Sequence, residues 1–333
     1  MTADDPRRRR AIEIRTPREN RFPPHTPLGT GAEFDMIRRM LERWGPRARR
    51  VGDDAAVITG PGERLLVVST DTSVENVHFR KDWLTPEEIG YRAATAALSD
   101  LAAMGARPLG ILAALTIPGH WRESMDSIAD GIGDAAASAN APILGGDMSG
   151  GTELSLTFTV LGTAHAPLFR SGARPGDKVY LTGRLGGPGA ALRSLELGRE
   201  PRALHRDRFA RPVARIREAV WLAGHGATAA IDISDGLAGD LGHVAAASGA
   251  GIHVELERVP LVDGVSPSDA LRSGEEYELI VTSPVDFDTA AFESLFGVPL
   301  TEIGLVGDGS PGVSLTLGGE HVEAPPGYLH FKQ

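Results

Sequence analysis

Phe34, Ile37, Met40 and Leu41 fall on one face at helical spacing, which predicts a helix over 33–44 that stops at Gly45-Pro46. Ile89, Ala93, Ala97, Leu101 and Met104 keep the same period behind Pro86 and predict a longer helix, with Gly105 at its C-cap and Pro108 just beyond. Leu154, Leu156, Phe158 and Val160 alternate with Ser155, Thr157 and Thr159, the period of a half-buried strand. Apolar runs at 64–69, 142–144, 178–182, 228–233, 252–257 and 277–282 predict further strands. Helices are expected after the glycine-rich loop 183–189 and after the strand at 228–233. Gly318-Gly319 turns a terminal hairpin of 313–317 and 320–323. Strands alternating with helices predict an α/β chain of α+β type, its mixed sheets covered by helices. The Ser/Thr alternation makes part of the sheet antiparallel.

A chain of 333 residues suits two domains. The segment 164–177, rich in Pro, Gly and charge, marks the boundary between a domain over 28–165 and another over 166–333. Residues 1–27 read as a disordered, solvated tail, with arginines at 7–10 and prolines at 17, 23 and 24. No apolar run reaches the length of a membrane span, and no apolar stretch follows the N-terminal arginines as in a secretory signal. A soluble cytoplasmic protein is expected. The absence of cysteine excludes disulfides, thiolate nucleophiles and cysteine-bound zinc. The net charge is −10; the first 25 residues hold seven Arg against four acidic residues, which leaves −13 for the remainder. So acidic a body is a poor nucleic-acid binder. It can receive phosphates where metal ions neutralise its carboxylates.

The placing of the aspartates is the informative feature. Asp53-Asp54 precedes an apolar run, and Ser69-Thr70-Asp71 is read as the end of a strand. Ser99-Asp100 lies in an alanine-rich helix, Gly145-Gly146-Asp147 ends a short strand, and Asp232-Ile233-Ser234-Asp235-Gly236 joins a strand to a helix. Taken singly, each has a plain explanation as a turn or a helix cap, except Asp100, which needs a reason inside a helix. As a set they favour divalent cations with oxygen ligands, because such ions relieve the desolvation and mutual repulsion of clustered carboxylates. The glycine-rich loop 183–189 and the Gly145-Gly146 turn could lie against phosphates, though each is more simply a turn. There is no Walker motif and no protein-kinase motif. From the residues alone, His78, Glu275 and Tyr328 could be surface, strand-start and packing residues.

These motifs resemble, in order and over about 30–331, those of the thiamine-monophosphate kinase family. The resemblance rests on Gly52-Asp53-Asp54-Ala55, Ser69-Thr70-Asp71 with Val77-His78-Phe79, and Ser99-Asp100-Leu101-Ala102-Ala103-Met104-Gly105. It continues through Gly145-Gly146-Asp147, Arg170-Ser171-Gly172-Ala173, Asp232-Ile233-Ser234-Asp235-Gly236, Gly274-Glu275-Glu276-Tyr277 and Pro326-Gly327-Tyr328. It implies a two-domain fold of the aminoimidazole-ribonucleotide-synthetase-like superfamily and a homodimer joined through the N-terminal domains. It also implies phosphorylation of thiamine monophosphate by ATP to thiamine diphosphate, directly and in line. By the same resemblance, Asp54, Ser69, Thr70, Asp71, Asp100, Asp147, Asp232 and Asp235 would ligate several Mg²⁺ ions. Gly146, Asp147, Arg170 and Ser234 would meet ATP, and His78, Glu275 and Tyr328 the thiamine substrate. No protein base or nucleophile is implied. The chain departs from the family at Ala129, Met148 and Glu276, where tyrosine, threonine or serine, and aspartate are usual. The alternatives are another ATP-using enzyme of the superfamily, or a non-catalytic nucleotide or thiamine-phosphate sensor. A selenophosphate synthetase typically carries a reactive Cys or selenocysteine, and this chain has no Cys.

Overall fold

The structure is a computed structural model, and it describes residues 25–60 and 65–325. The first half carries α1 (Ala32–Trp44), β1 (Ala56–Thr59), β2 (Leu65–Val74), α2 (Pro86–Ala103), β3 (Arg107–Ile117), α3 (Met125–Ser138), β4 (Ile143–Gly150) and β5 (Ser155–Ala164). Its sheet has the order β1-β2-β5-β3-β4, with only β3 and β4 parallel. Leu156, Phe158 and Val160 of β5 are buried, and α2 packs over this face of the sheet. Thr157 and Thr159 point the other way, where their hydroxyls pair with Thr72 (3.0 Å) and Thr70 (2.9 Å) of β2. The polar alternation therefore marks an uncovered sheet face. β4, at the edge of this sheet, is exposed along its whole length.

The second half carries β6 (Lys178–Thr182), α4 (Gly187–Glu196), α5 (Ala203–Ala210), α6 (Ile216–Gly224), β7 (Ala229–Asp232), α7 (Leu237–Ser248) and β8 (Gly251–Glu255). It ends in α8 (Pro267–Ala270), β9 (Leu279–Ser283), α9 (Thr289–Phe296), β10 (Leu300–Gly307), β11 (Gly312–Leu317) and β12 (Glu320–Val322). Its sheet runs β12-β11-β8-β10-β6-β9-β7, with β8 and β11 parallel and every other pair antiparallel. Tyr180 and Val281 on one face join a core shared with α2, whereas Val179, Leu181 and Ile280 on the other join a core built on Leu237, Leu241 and Val244 of α7. Burial on both faces explains the apolar run Leu279–Val281 that opens β9.

Helix α2 holds the halves together. It begins with a capping box, in which Thr85 Oγ1 accepts from Glu88 N–H and Glu88 accepts from Thr85 N–H. It packs on β2 and β5 of its own half and on α6 and β7 of the other. Contact on nearly every side explains its alanines, because small side chains let several elements approach. Against α3 the approach is closer still. A Cβ added to Gly131 would lie 1.9 Å from Glu87 O, and one added to Gly90 would lie 2.2 Å from Ile128 O. Gly105 ends the α2 turn at φ +60°.

Two expected strands run further than the sequence suggested. β2 passes through Ser69-Thr70-Asp71 and continues to Val74, paired residue by residue with β5. β4 likewise runs through Gly145-Gly146-Asp147 in register with Leu112, Ala113 and Ala114 of β3. Gly145-Gly146 is strand and not a turn. Gly146 is needed because a Cβ there would sit 1.8 Å from Ala113 O of the neighbouring strand.

Candidate active site

A cavity of about 510 Å³ opens between the two halves. Asp54, Ser69, Thr70, Asp71, Asp100 and His78 reach it from the first half. Arg170, Asp232, Ser234, Asp235 and Glu275 reach it from the second. Most of them stand in or beside elements whose positions the core fixes. Asp54 precedes β1, Asp71 sits inside β2, Asp100 lies in the last turns of α2, and Asp232 ends β7.

Carboxylate oxygens of Asp54, Asp100 and Asp232 lie within 4.8 Å of one another. The cluster is knit by hydroxyls: Ser69 Oγ donates to Asp100 Oδ2 (2.5 Å), and Ser99 Oγ donates to Asp232 Oδ2 (2.6 Å). Three carboxylates so close, with Asp232 buried and the other two at least partly so, repel one another. Burial, and then the Asp232 charge, push Asp100 well above the ordinary carboxylate range. Burial, and then the Asp54 charge, push Asp232 to about 7. Arg170 is the counter-charge. Its Nη2 and Nε donate to the two oxygens of Asp54 (2.5 and 3.1 Å), and its backbone N–H donates to Asp53 (3.0 Å). Burial opposes the charge of Arg170, but the attraction of Asp54 outweighs it and raises its pKa. An all-oxygen donor set carrying more negative charge than one guanidinium can offset suits a hard divalent cation such as Mg²⁺.

The cluster has supports that the sequence did not announce. Asp240, 1% exposed, accepts from the backbone N–H groups of Ser234 and Asp235 (both 3.2 Å) and so shapes the turn that presents Asp232 and Asp235. Asp235, Asp240 and His243 form a second group of close donor atoms. Burial, and then Arg170, lower His243 to about 4, so the ring is neutral near neutral pH. Asp53 accepts from Thr26 Oγ1 (3.1 Å), which ties the segment ahead of α1 to the site. Helix α1 lies over the cavity with Glu33, Phe34 and Ile37, yet none of its residues is buried. Thr26 is far in sequence from most of the aspartate motifs, whereas Asp240 and His243 follow Asp235 by five and eight residues, yet the motif did not single them out.

At the other end stand His78 and Glu275. Val74 N–H donates to His78 Nδ1 (3.0 Å), so the proton of the neutral ring is on Nε2. Glu275 and Tyr277 adopt left-handed φ values of +55° and +53°. They are held there by Glu275 N–H to Ser234 O (2.8 Å) and by Glu276 and Tyr277 N–H to Ile233 O (both 3.0 Å). Two side-chain-bearing residues in this region within three positions mark stored strain at a site.

The remaining predicted residues fall elsewhere. Thr70 borders the cavity, but strand alternation turns its hydroxyl to the uncovered face, away from Ser69 and Asp71. Gly146 and Asp147 lie on the exposed edge strand β4 and do not line this cavity, so the structure does not bring Asp147 to the other carboxylates. Tyr328 lies outside the described residues. Nor is the loop 183–189 free for phosphate. Gly186 N–H donates to Glu276 Oε1, and Gly189 N–H donates to Ser273 Oγ (2.9 Å). The departure at Glu276 thus has a structural use: its carboxylate, 3% exposed, anchors the glycine loop.

Comparison with known proteins agrees with this geometry. Residues 52–164 match the model of the AIR synthase related protein N-terminal domain, and residues 174–315 match that of the C-terminal domain. The thiamine-monophosphate kinase of Escherichia coli (strain K12) is 37% identical over 328 residues, covering 90% of this chain and 98% of that one. A solved structure described as AaThiL complexed with AMPPCP and TMP superposes with a TM-score of 0.79 at 29% identity, covering 90% of this chain and 97% of that one. The thiamine-monophosphate kinase of Stenotrophomonas maltophilia K279a gives 0.71 at 33% identity, covering 87% and 98%. With both halves matched, and a relative of this identity covered almost end to end, the chain belongs to the thiamine-monophosphate kinase family.

Proposed function

We propose that this chain transfers the γ-phosphoryl group of ATP to thiamine monophosphate, giving thiamine diphosphate and ADP. The observation that carries this is the meeting of carboxylates from both halves in one cavity with Arg170, His78 and Glu275. A related structure binding AMPPCP, an ATP analogue, together with TMP supports it. The acceptor is a phosphate monoester with a second pKa of about 6, so it is already a dianion at neutral pH. It therefore needs no protein base to become a nucleophile.

Asp54, Asp71, Asp100, Asp232 and Asp235, with Ser69 Oγ, would hold Mg²⁺. When bound, such ions supply the positive charge that lets two polyanions approach. The chain's own work is placement. Ser69 and Ser99 orient Asp100 and Asp232, and Asp240 fixes the turn that carries Ser234 and Asp235 toward the nucleotide. Arg170 reaches nucleotide phosphate from its Asp54 pairing, and His78 Nε2–H and Glu275 meet the acceptor. The cavity lies between halves that we divide within residues 164–177. Leu112, Ile143, Leu144 and Met148 stand exposed on and beside β4, and we propose that a second copy covers that sheet in a homodimer. Among the described residues no helix is long and apolar enough to cross a membrane, in keeping with a cytoplasmic kinase.

The test is an ADP-release assay with ATP, Mg²⁺ and thiamine monophosphate, with thiamine as control acceptor and the diphosphate identified as product. Turnover with the monophosphate alone is expected. ATP binding without turnover would point instead to a sensor or to another chemistry of the superfamily. Direct transfer also predicts that acid quench during turnover traps no phosphoprotein.

A further inference from the structure

Arg92 stands on α2, where no sequence motif drew attention to it. Its guanidinium is buried, with 6% of the side chain exposed, and it touches three separate segments. Nη1 donates to the carbonyl oxygen of His78 (2.8 Å). Nη2 donates to Glu275 Oε2, forming an ion pair between the two halves. The guanidinium carbon lies 4.3 Å from the ring centroid of Phe209, which closes its remaining face. Nε is buried without a hydrogen-bond partner. A cation held this deep, with one donor unsatisfied, is costly unless its position matters. The two groups it grips are the main chain of His78 and the carboxylate of Glu275, the two walls of the proposed acceptor end.

Resting on the functional reading above, we propose that Arg92 is the positioning residue of the acceptor pocket. It sets His78 and Glu275 at a fixed separation across the interface and leaves the second oxygen of Glu275 for a donor or cationic group of the acceptor. Glu275 sits in strained left-handed backbone, so its side chain needs an external anchor. Arg92 and Ser99 lie seven residues apart, nearly one above the other on the helix and about 10 Å along its axis. One rigid helix therefore ties the acceptor end to the carboxylate cluster, where Ser99 grips Asp232. The proposed nucleotide contacts, Arg170 and Ser234, are not among the groups that Arg92 bonds.

The test compares wild type with Arg92→Met, Glu275→Gln and the double variant, with thiamine monophosphate and ATP varied separately. Loss of a charge-assisted hydrogen bond predicts an acceptor KM raised about tenfold or more in Arg92→Met, with the ATP KM changed less than about twofold. The double variant is expected within about threefold of Glu275→Gln alone, because the two residues act as one unit. An unchanged acceptor KM, an equal rise for ATP, or factors that multiply would overturn the proposal. Should Arg92→Met fail to fold, Arg92→Lys carries the same test, since it keeps the charge but cannot span both partners. If the wild-type chain binds thiamine monophosphate without turnover, the functional reading falls alone, and titration calorimetry with the acceptor and with AMPPCP reads the same ratios. Absence of acceptor binding overturns both.

Discussion

Replacing Asp232 by asparagine should make the metal-free protein more stable and the metal-bound protein inactive. Asparagine keeps the shape and the carbonyl oxygen that accepts from Ser99 Oγ (2.6 Å), and it removes a charge facing Asp54 and Asp100. The size follows from the carboxyl's displacement. Its pKa rises from 3.8 to about 7 on folding, roughly three units at about 1.36 kcal/mol each, so the ionised form costs the native state on the order of 4 kcal/mol. The sign is that of a raised carboxyl: the native state holds the proton more tightly than the unfolded chain, so stability is lost as pH rises from 3.8 through about 7. The advantage of Asp232→Asn is therefore greatest near pH 8, shrinks to less than about 2 kcal/mol at pH 5, and vanishes in strong acid. Urea unfolding in EDTA at pH 5 and pH 8 measures it. The same titration with millimolar Mg²⁺ should stabilise wild type and leave the variant almost unmoved, because linkage requires a site in the folded state. A variant less stable than wild type in EDTA at pH 8, or one that gains as much from Mg²⁺, would refute the account of the cluster as mutually repelling metal ligands.

Arg170→Met leaves Asp54 without its bidentate partner and should cost about 3 kcal/mol or more in EDTA, with much of the loss restored by Mg²⁺; unfolding with and without the ion checks this. Glu278→Gln strips the charge that binds Arg215 and Arg208 in the core and should cost about 3–5 kcal/mol by urea unfolding. Burial works against the Glu278 charge, but Arg215 outweighs it and lowers its pKa below 4.5. Its contribution is thus present above pH 4.5 and is lost as pH falls through the native value, so wild type and variant should converge in acid. Gly131→Ala drives a Cβ to 1.9 Å from Glu87 O and should lower stability by about 2 kcal/mol or more, with parallel loss of activity because α2 carries Arg92 and Asp100; a normal melting temperature would show that the crossing can relax.

Much of the fold could be read from local pattern because its cause is local. The period of α2, its Pro86 start and Gly105 stop are properties of neighbouring residues, and the helix forms where they place it. The alternation over 154–160 likewise marked which residues of β5 face the core. Strand ends were legible only in part. Ser, Thr, Asp and Gly read as turn signals, yet β2 and β4 run through them, since an already paired neighbour offers the backbone its hydrogen bonds. The placing of Asp54, Asp71, Asp100, Asp232 and Asp235 in one cavity was foreseen, whereas Asp147 went to an exposed edge strand. Arg92, Asp240 and His243 were not foreseen, because no side chain carries a local sign of what it grips across the fold.

By itself the sequence determined the element types, the acidic charge, the lack of thiol chemistry and the set of carboxylates available to a metal, all of which depend on composition and short-range spacing. Tertiary structure alone decided which carboxylates meet, how far their pKa values move, that the glycine loop is spent on Glu276 and Ser273, and that one arginine joins the two halves at the acceptor end. Those outcomes depend on distances between residues far apart in the chain and on the dryness of the place where they meet, and both arise only when the two sheets close around α2.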